Sequence, residues 1–434
     1  MKHSTRITTA ATGLLAAAAL AGCTGTAGGA GATGQEDIDT TGELSGTVSF
    51  QTWSLKNETF TPYFEDLIDR FESEHPDVTV EWLDQPGDGY QDKILSQANS
   101  GTLPDVLNLP PDIAYPLVTA GKLIDLDAAD PTLAETYVPG AWEAYTYPGV
   151  EGVFGLPWYL GTDLGWWNGS ALEKYGFSTD DLPTTDEDFL ALAVEMGKAS
   201  DGRMPLLSAM PTIDQFASND IEILDDQGEF VFNTPEAAAI VDDYAEAYAA
   251  GALPPEALTG DYGGNADMFK QGKVAYTTAG SGFAGDLASD APTIRESVVP
   301  EARIGAAPLF VQGINVSNDS DNKAAALAFA EFVTNTENQV EFVQLALGFM
   351  PGTVDGSADA EALSASVDDP LQKQAMEIVS EAMTDARILT PFQWTDAMKT
   401  FMDQQLALAI KGDLSGQEAL DKAVEYANAN RIEQ

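Results

Sequence analysis

The sequence predicts an α/β protein in which helices cover both faces of a parallel sheet. Between residues 48 and 109, apolar side chains alternate with period two and recur at helical spacing in turn, which indicates strand, helix, strand, helix, strand. About 390 residues follow the N-terminal segment, enough for two sizeable hydrophobic cores. We therefore expect a large α/β body with more than one core.

The first strand and helix are indicated by a change of period. Val48 and Phe50 alternate with polar neighbours, and this strand ends near residues 51–53. A helix follows through Glu74, and Pro76 breaks it. Its apolar face recurs at helical spacing: Phe60, Phe64, Leu67, Ile68 and Phe71.

The next elements repeat this order. Alternation resumes at Val78, Val80 and Trp82, which predicts a second strand. A helix built on residues 94–98 closes at Gly101, and the apolar run 106–109 predicts a third strand.

The remaining chain is richer in helix. Phe189, Leu192, Ala193 and Met196 share one helical face, and residues 237–250 form an Ala-rich helix ending at Gly251. Further helices are expected within residues 323–347 and 394–429, the latter broken at Gly412 and Gly416. We expect Trp82 and Trp142 in the core, and at most one of the adjacent Trp166 and Trp167 at a cleft, because neighbours on a strand face opposite ways.

The N-terminus has the features of an export signal. Lys2, His3 and Arg6 precede a short apolar stretch, and residues 20–23 read Leu-Ala-Gly-Cys, which resembles the lipobox of bacterial lipoproteins. Cys23 is the single cysteine of the chain, so it has no internal disulfide partner. We expect a signal peptide over 1–22, a lipid on Cys23, and a flexible Gly-, Ala- and Thr-rich tether over 23–43.

The charge balance excludes one class of partner. The chain has 69 acidic and 20 basic residues, a formal net charge of −49. Such a field repels phosphate, so nucleic acid is not an expected partner, and anionic ligands are disfavoured. A solvated acidic surface is the favoured interpretation of this charge.

A series of short motifs resembles the extracellular solute-binding lipoproteins of ABC sugar importers, the family related to maltose-binding protein. In chain order they are Thr52-Trp53, Leu103-Pro104-Asp105-Val106, residues 120–126, Gly155-Leu156-Pro157-Trp158-Tyr159 with Trp166-Trp167-Asn168, residues 268–275 before the glycine turn 280–282, Ala307-Pro308-Leu309 with residues 313–316, and Gly348-Phe349-Met350-Pro351. The order of these motifs along the chain is a more specific sign of the family than any single motif.

This resemblance implies a two-lobed, periplasmic-binding-protein-like fold. Each lobe would be a mostly parallel sheet flanked by helices, and a multi-crossover hinge would join them. Lobe I is expected over residues 44–160 plus 306–360, and lobe II over 161–305 plus 361–434. The implied function is capture of a carbohydrate in an interlobe cleft and delivery to the transmembrane subunits of an ABC permease, by a monomer held at the outer face of the cytoplasmic membrane. Hinge closure is the usual motion of such proteins.

The expected site combines aromatic rings for the C–H face of a sugar with polar groups for its hydroxyls. The aromatic candidates are Trp53, Trp158, Tyr159, Trp394 and Phe283. Trp394 matches a stacking aromatic of the family, whereas Phe283 lies near a turn where that family often has Trp. The polar candidates are Asp112, Asn108, Gln51, Asp163 and Gln312.

Three other functions fit the sequence less well. A glycoside-acting enzyme would need a pair of carboxylates, but any acid-rich chain supplies such pairs by chance. The motifs for a catalytic nucleophile and for a phosphate-binding loop are incomplete. His75 alone cannot form a zinc site, so neither a metal nor a cofactor is expected. An aromatic cage for a quaternary ammonium solute would keep the fold and change the ligand. Amino acids and peptides are disfavoured because their carboxylate usually needs an Arg, and no Arg is expected beside the cleft candidates. A structural surface protein would need repeats, and none is present.

Overall fold

A computed structural model describes residues 42–259, 265–358 and 367–431, together with Ile38 and Thr40. The predicted signal peptide, Cys23 and most of the predicted tether lie outside the described residues. No helix within the described ranges is both long and apolar enough to cross a membrane.

The strands of the described part form two sheets. They are β1 Gly46–Trp53, β2 Val78–Gln85, β3 Val106–Leu109, β4 Leu156–Gly161, β5 Leu164–Asn168, β6 Tyr276–Ala279, β7 Val298–Ala302, β8 Phe310–Val316 and β9 Met350–Pro351. The large sheet has the order β2-β1-β3-β8-β4-β9, and the small sheet has the order β6-β5-β7.

Helices surround both sheets. They are α1 Thr61–Glu74, α2 Tyr90–Ser100, α3 Pro111–Thr119, α4 Leu126–Ala129, α5 Pro139–Glu143, α6 Gly169–Lys174, α7 Asp186–Ser200, α8 Ile213–Ser218, α9 Pro235–Ala249, α10 Asn265–Lys270, α11 Phe283–Asp290, α12 Pro292–Arg295, α13 Lys323–Val333, α14 Thr336–Leu345, α15 Val354–Ala358, α16 Pro370–Ala382, α17 Asp396–Lys411 and α18 Gly416–Ala429. Short 3₁₀ turns occupy Leu133–Glu135 and Pro255–Leu258.

The α/β fold and the predicted N-terminal elements are confirmed. β1 pairs in parallel with both β2 and β3, and α1 and α2 connect these strands. The C-terminal helices are confirmed too: α17 ends at Gly412, whose φ of 86° suits glycine, and Ser415 forms a capping box at the start of α18.

The prediction of a mostly parallel sheet in each lobe is wrong. β8 lies antiparallel to both β3 and β4, and β5 lies antiparallel to both β6 and β7. The chain leaves the large sheet after Gly161 and enters the small one at Leu164, and it returns between Ala302 and Phe310. An outgoing and a returning strand that lie side by side must run in opposite directions. The residue limits predicted for the two lobes stay a prediction.

The tryptophans of the sequence lie mostly inside. Trp142 is buried and stacks on Tyr137 with ring centroids 5.6 Å apart, and Trp82 is half-buried against Phe64 at 4.8 Å. The adjacent Trp166 and Trp167 are both buried on opposite faces of β5, so neither reaches a cleft. Helices α7, α9, α17 and α18 enclose two further apolar clusters beyond the small sheet.

Candidate ligand-binding cleft

The carboxyl ends of β1, β2 and β3 lie along one edge of the large sheet. β1 ends at Trp53, and residues 110–112 follow β3 and begin α3. Because parallel strands present their carboxyl ends on one edge, the segments that follow them are brought together there. Two cavities are lined in part by these segments, and a third shares a lining residue with the second of them.

The first of these, the Trp53 cavity, has a volume of about 480 Å³. Trp53 is partly exposed, and its ring centroid lies 6.0 Å from that of Tyr90. The indole nitrogen of Trp53 is shielded from solvent and has no hydrogen-bond partner in the described structure. The lining comprises Trp53, residues 87–92, Pro110, Ile113, Gln312 and Asp396.

The second, the Trp394 cavity, has a volume of about 280 Å³. Trp394 is partly exposed, and its ring packs edge-on against Phe230 and Phe232, each with a centroid distance of 5.5 Å. These two contacts hold the indole at the cavity wall. The lining comprises residues 110–112, Asp214, residues 308–312, residues 388–392 and Trp394.

The third, the Arg303 cavity, has a volume of about 240 Å³ and lies beside the small sheet. Polar residues outnumber apolar ones in its lining, which comprises Asp163, Asp186, Phe189, residues 207–210, Thr212, Asp214, Gln215, Ser218, Tyr244, residues 276–278, Arg303 and Ile304.

The three cavities share walls. Pro110 and Gln312 line both the Trp53 and the Trp394 cavities, and Asp214 lines both the Trp394 and the Arg303 cavities. Together they form one groove from the large sheet to the small sheet, which we call the interlobe cleft. Trp53, Trp394, Asp112, Asp163 and Gln312, all expected from the sequence, line it.

Asn108 has a different place from the one expected. It is fully buried, and its amide group donates to Oε1 of Gln312 at 3.1 Å and to the carbonyl of Gly313 at 3.2 Å. Its backbone carbonyl accepts a hydrogen bond from the hydroxyl of Tyr90 at 3.0 Å. Asn108 therefore lies behind the cleft wall and positions Gln312, which faces the cleft.

Two acids of the cleft have raised pKa values because the surrounding protein displaces water from their carboxyl groups. Burial raises the pKa of Asp163, with a further increase from Asp214, and the nearby Arg303 guanidinium opposes it. Partial burial also raises the pKa of Asp112, whereas hydrogen bonds from the N–H groups of Asp112 and Ile113 lower it to a smaller extent. The expectation that no Arg lies beside the cleft candidates is wrong, because Arg303 and Asp163 line the same cavity.

Trp158 and Tyr159 are core residues, which corrects their assignment to the site. β4 is buried on both faces, and Trp158 is fully buried 4.4 Å from Phe342, between ring centroids. A register shift in β4 brings Tyr159 against the same ring at 5.2 Å and against Phe349 at 4.8 Å. An interior strand packed by α14 has no open face for a ligand.

Phe283 and Gln51 are corrected in the same way. Phe283 is buried at the start of α11, with its ring centroid 5.4 Å from that of Trp166. Gln51 is fully buried and exchanges two side-chain hydrogen bonds with Gln97, at 3.2 and 3.0 Å. Neither side chain lines a cavity described above.

Several cleft residues were missed by the sequence analysis. Tyr90 follows β2, whose carboxyl end shares the edge with Trp53, so the rule that found Trp53 could have found it. Phe310, Asp214 and Arg303 carry no local signal, since distant segments bring them to the cleft. No group of three or more potential metal ligands occurs among the described residues.

Comparisons with known proteins agree with this architecture. The model of the bacterial extracellular solute-binding protein family matches residues 57–340. An uncharacterized lipoprotein from the oleD 5' region of Streptomyces antibioticus is 27% identical over 307 residues, 65% of this chain, and the match spans only 65% of that relative's own length.

Two solved structures share the fold. One, from Synechococcus sp. MITs9220, carries the provisional name oligosaccharide periplasmic-binding protein; it has a TM-score of 0.75 and 25% identity over 88% of this chain and 98% of that one. The other is the ABC substrate-binding protein Lmo0181 of Listeria monocytogenes in complex with cycloalternan, with a TM-score of 0.69 and 22% identity over 88% and 98%.

Proposed function

Because this chain belongs to the bacterial extracellular solute-binding protein family, we propose that it captures a carbohydrate, from mono- to oligosaccharide, in the interlobe cleft and delivers it to the membrane subunits of an ABC importer. The cycloalternan complex of the Listeria protein and the name of the Synechococcus protein support a carbohydrate ligand. So does the chemistry of the cleft.

The observation that carries this proposal is the combination of indole rings and polar groups along one groove. Trp53 and Trp394 are partly exposed at different positions along it, where they can cover the C–H face of a pyranose. Asp112, Gln312 and Asp163 lie on its walls and can accept or donate hydrogen bonds to hydroxyl groups. We propose these five side chains as ligand contacts.

Titration of the full chain, purified in a detergent without a sugar headgroup, tests the proposal. Intrinsic tryptophan fluorescence and calorimetry would follow a panel of mono- and oligosaccharides alongside glycine betaine. We expect saturable binding of at least one carbohydrate. A response to betaine and to no carbohydrate would contradict the proposal.

Trp394→Ala tests the stacking contact within this site. We expect an affinity loss of at least about tenfold, because an aromatic platform contributes on the order of 1 kcal/mol or more beyond simple burial. Trp394→Phe retains a ring on Phe230 and Phe232 and is the matched control. Undiminished affinity in a natively melting Trp394→Ala protein would remove Trp394 from the site.

A second candidate ligand is a quaternary ammonium solute, and the Trp53 cavity favours it. Trp53 and Tyr90 place two rings there, and Asp88, Asp92 and Asp396 add carboxylates to the lining. Aromatic faces and negative charge attract a cation together. Betaine in the panel above decides between the two ligand classes.

We propose that the protein binds its ligand without transforming it. The family and the structural neighbours consist of binding proteins, which supports this role. Prolonged incubation with the bound carbohydrate, followed by chromatography of the sugar, should return it unchanged. Any hydrolysis that increases with protein concentration would contradict a pure binding role.

We further propose that the mature protein is a monomer at the outer face of the cytoplasmic membrane, anchored by a lipid on Cys23. A short tether would keep it near its permease at high effective concentration. Cys23→Ser should move the protein from the membrane fraction to the medium and abolish lipid labelling. Persistent labelling in this variant would contradict the lipid anchor. Sedimentation analysis tests whether the protein is a monomer.

A further inference from the structure

The two cavities that meet at Asp214 differ in chemistry. Eleven of the fifteen residues that line the Trp394 cavity are apolar, and its polar side chains are Asp112, Asp214, Gln312 and Thr390. The Arg303 cavity beyond Asp214 has two further carboxylates, the Arg303 guanidinium and several hydroxyl groups. One groove thus has an apolar compartment next to a polar one.

The apolar compartment includes unusually exposed side chains. Phe310 is 47% exposed and Ile388 is 42% exposed, although both line the Trp394 cavity. Phe310 pairs with Gly161 across β8 and β4, and the ring of Phe349 lies over this glycine. Large apolar side chains grouped at a cavity mark a surface that a ligand covers.

Several polar atoms of this compartment already have partners. The hydroxyl of Thr390 donates to the carboxylate of Asp214, and Oε1 of Gln312 accepts the Asn108 amide at 3.1 Å. A second sugar ring has hydroxyl groups around its edge, and each one buried without a partner is costly. The compartment therefore suits an apolar group better than another sugar.

The Arg303 compartment has the opposite character. Asp186 accepts hydrogen bonds from Gln215 at 2.9 Å and Asn219 at 2.5 Å, which hold its carboxylate in place. Asp163 and Arg303 add a carboxylate and a guanidinium to the same wall. Such a set of donors and acceptors matches the hydroxyl edge of one sugar ring.

We infer that the ligand is a glycoside with an apolar aglycone. Its sugar ring occupies the Arg303 cavity, and its aglycone occupies the Trp394 cavity against Phe310, Ile388 and Trp394, in the place that a second sugar ring of an oligosaccharide would take. This inference rests on the proposed function, carbohydrate capture in the interlobe cleft, and adds the class of carbohydrate.

The test compares ligands that share one sugar and one anomeric linkage. Methyl β-D-glucoside, phenyl β-D-glucoside and cellobiose differ only in the group attached to the glucosyl ring, and the corresponding galactosides and lactose form a second series. Calorimetry on the full chain, in a detergent without a sugar headgroup, would give the affinities. We expect the phenyl glycoside to bind at least about tenfold more tightly than the methyl glycoside and the disaccharide of its series.

Phe310→Ala should remove most of this advantage and change the affinity for the methyl glycoside by less than about twofold. Ile388→Ala is a second variant, on the segment that lies next to residues 307–309 through the Pro308–Arg387 bridge. Leu347→Ala is the matched control, because Leu347 is as exposed as Phe310, at 47%, but does not line the cavity. Each of these side chains is partly exposed, and melting curves would verify that the variants fold.

The outcomes separate the two proposals. Equal affinities for the methyl and phenyl glycosides would overturn the aglycone inference and leave carbohydrate capture intact. The same holds if Phe310→Ala weakens binding of the disaccharide as much as it weakens binding of the phenyl glycoside. Failure of every carbohydrate and glycoside to bind would contradict carbohydrate capture itself.

Discussion

Replacing Trp158 by alanine should lower stability strongly and leave ligand affinity nearly unchanged. The indole is fully buried among Phe64, Tyr159 and Phe342, at centroid distances of 6.0, 5.0 and 4.4 Å. Truncation of a buried Trp to Ala costs about 3–5 kcal/mol, because transfer energy is lost and a cavity remains. None of this packing belongs to the walls of the interlobe cleft.

The magnitude converts into a melting shift. An unfolding entropy of about 2.1 cal/mol/K per residue, over about 380 described residues, gives about 0.8 kcal/mol/K. A loss of 3–5 kcal/mol therefore lowers Tm by about 4–6 °C. Trp158→Phe should cost less, since it retains a ring and the indole nitrogen has no hydrogen-bond partner in the described structure.

Scanning calorimetry measures the shift, and titration with the carbohydrate identified in the panel measures affinity well below Tm. We expect Trp158→Ala to bind within about twofold of the unmodified chain, whereas Trp394→Ala loses at least about tenfold. Trp158→Ala with an unchanged Tm and a tenfold weaker Kd would refute the assignment of Trp158 to the core.

Three further substitutions test individual features. Burial raises the pKa of Glu331 to about 7, so between about pH 4.5 and 7 the folded state retains a proton that the unfolded state has lost, and native stability falls as pH rises through this window. Glu331→Gln should therefore have a higher Tm than the unmodified chain at pH 8 and the same Tm at pH 5. An equal difference in Tm at both pH values would contradict this. Asn108→Leu should weaken carbohydrate binding about fivefold, the equivalent of about 1 kcal/mol for one hydrogen bond, because Gln312 loses its donor; unchanged calorimetric affinity would show that Gln312 needs no support. Gly313→Ala should lower the free energy of unfolding in urea by about 1–3 kcal/mol, because a Cβ there would clash with the hydroxyl of the buried Tyr145. An unchanged urea midpoint would contradict this clash.

Elements with a strong local period could be predicted from the sequence. β1, α1 and β2 lie where the change between period two and helical spacing placed them, and α17 ends at Gly412 as expected. Local stereochemistry controls such features, so they need no knowledge of distant residues. The direction of β8 depends instead on how the chain crosses between lobes, which no local pattern records.

The residues of the candidate site also differ in how far they could be predicted from the sequence. Trp53, Asp112 and Gln312 line the cleft as predicted. Trp158 and Phe283 resemble ligand-stacking residues by motif and position, but both are buried against rings from other segments. Whether an aromatic ring faces solvent depends on what covers it, and for Trp158 that cover comes from α14, far along the chain.

By itself, the sequence determined the α/β class, the order of the first strands and helices, the family pattern and the lone Cys23 with its expected lipid. Only the tertiary structure decided which side chains meet at the cleft, that Arg303 lies beside Asp163, and that an apolar compartment adjoins a polar one. The physical reason is that periodicity follows from bonds between neighbours, whereas exposure and pKa follow from water displaced by residues distant in sequence.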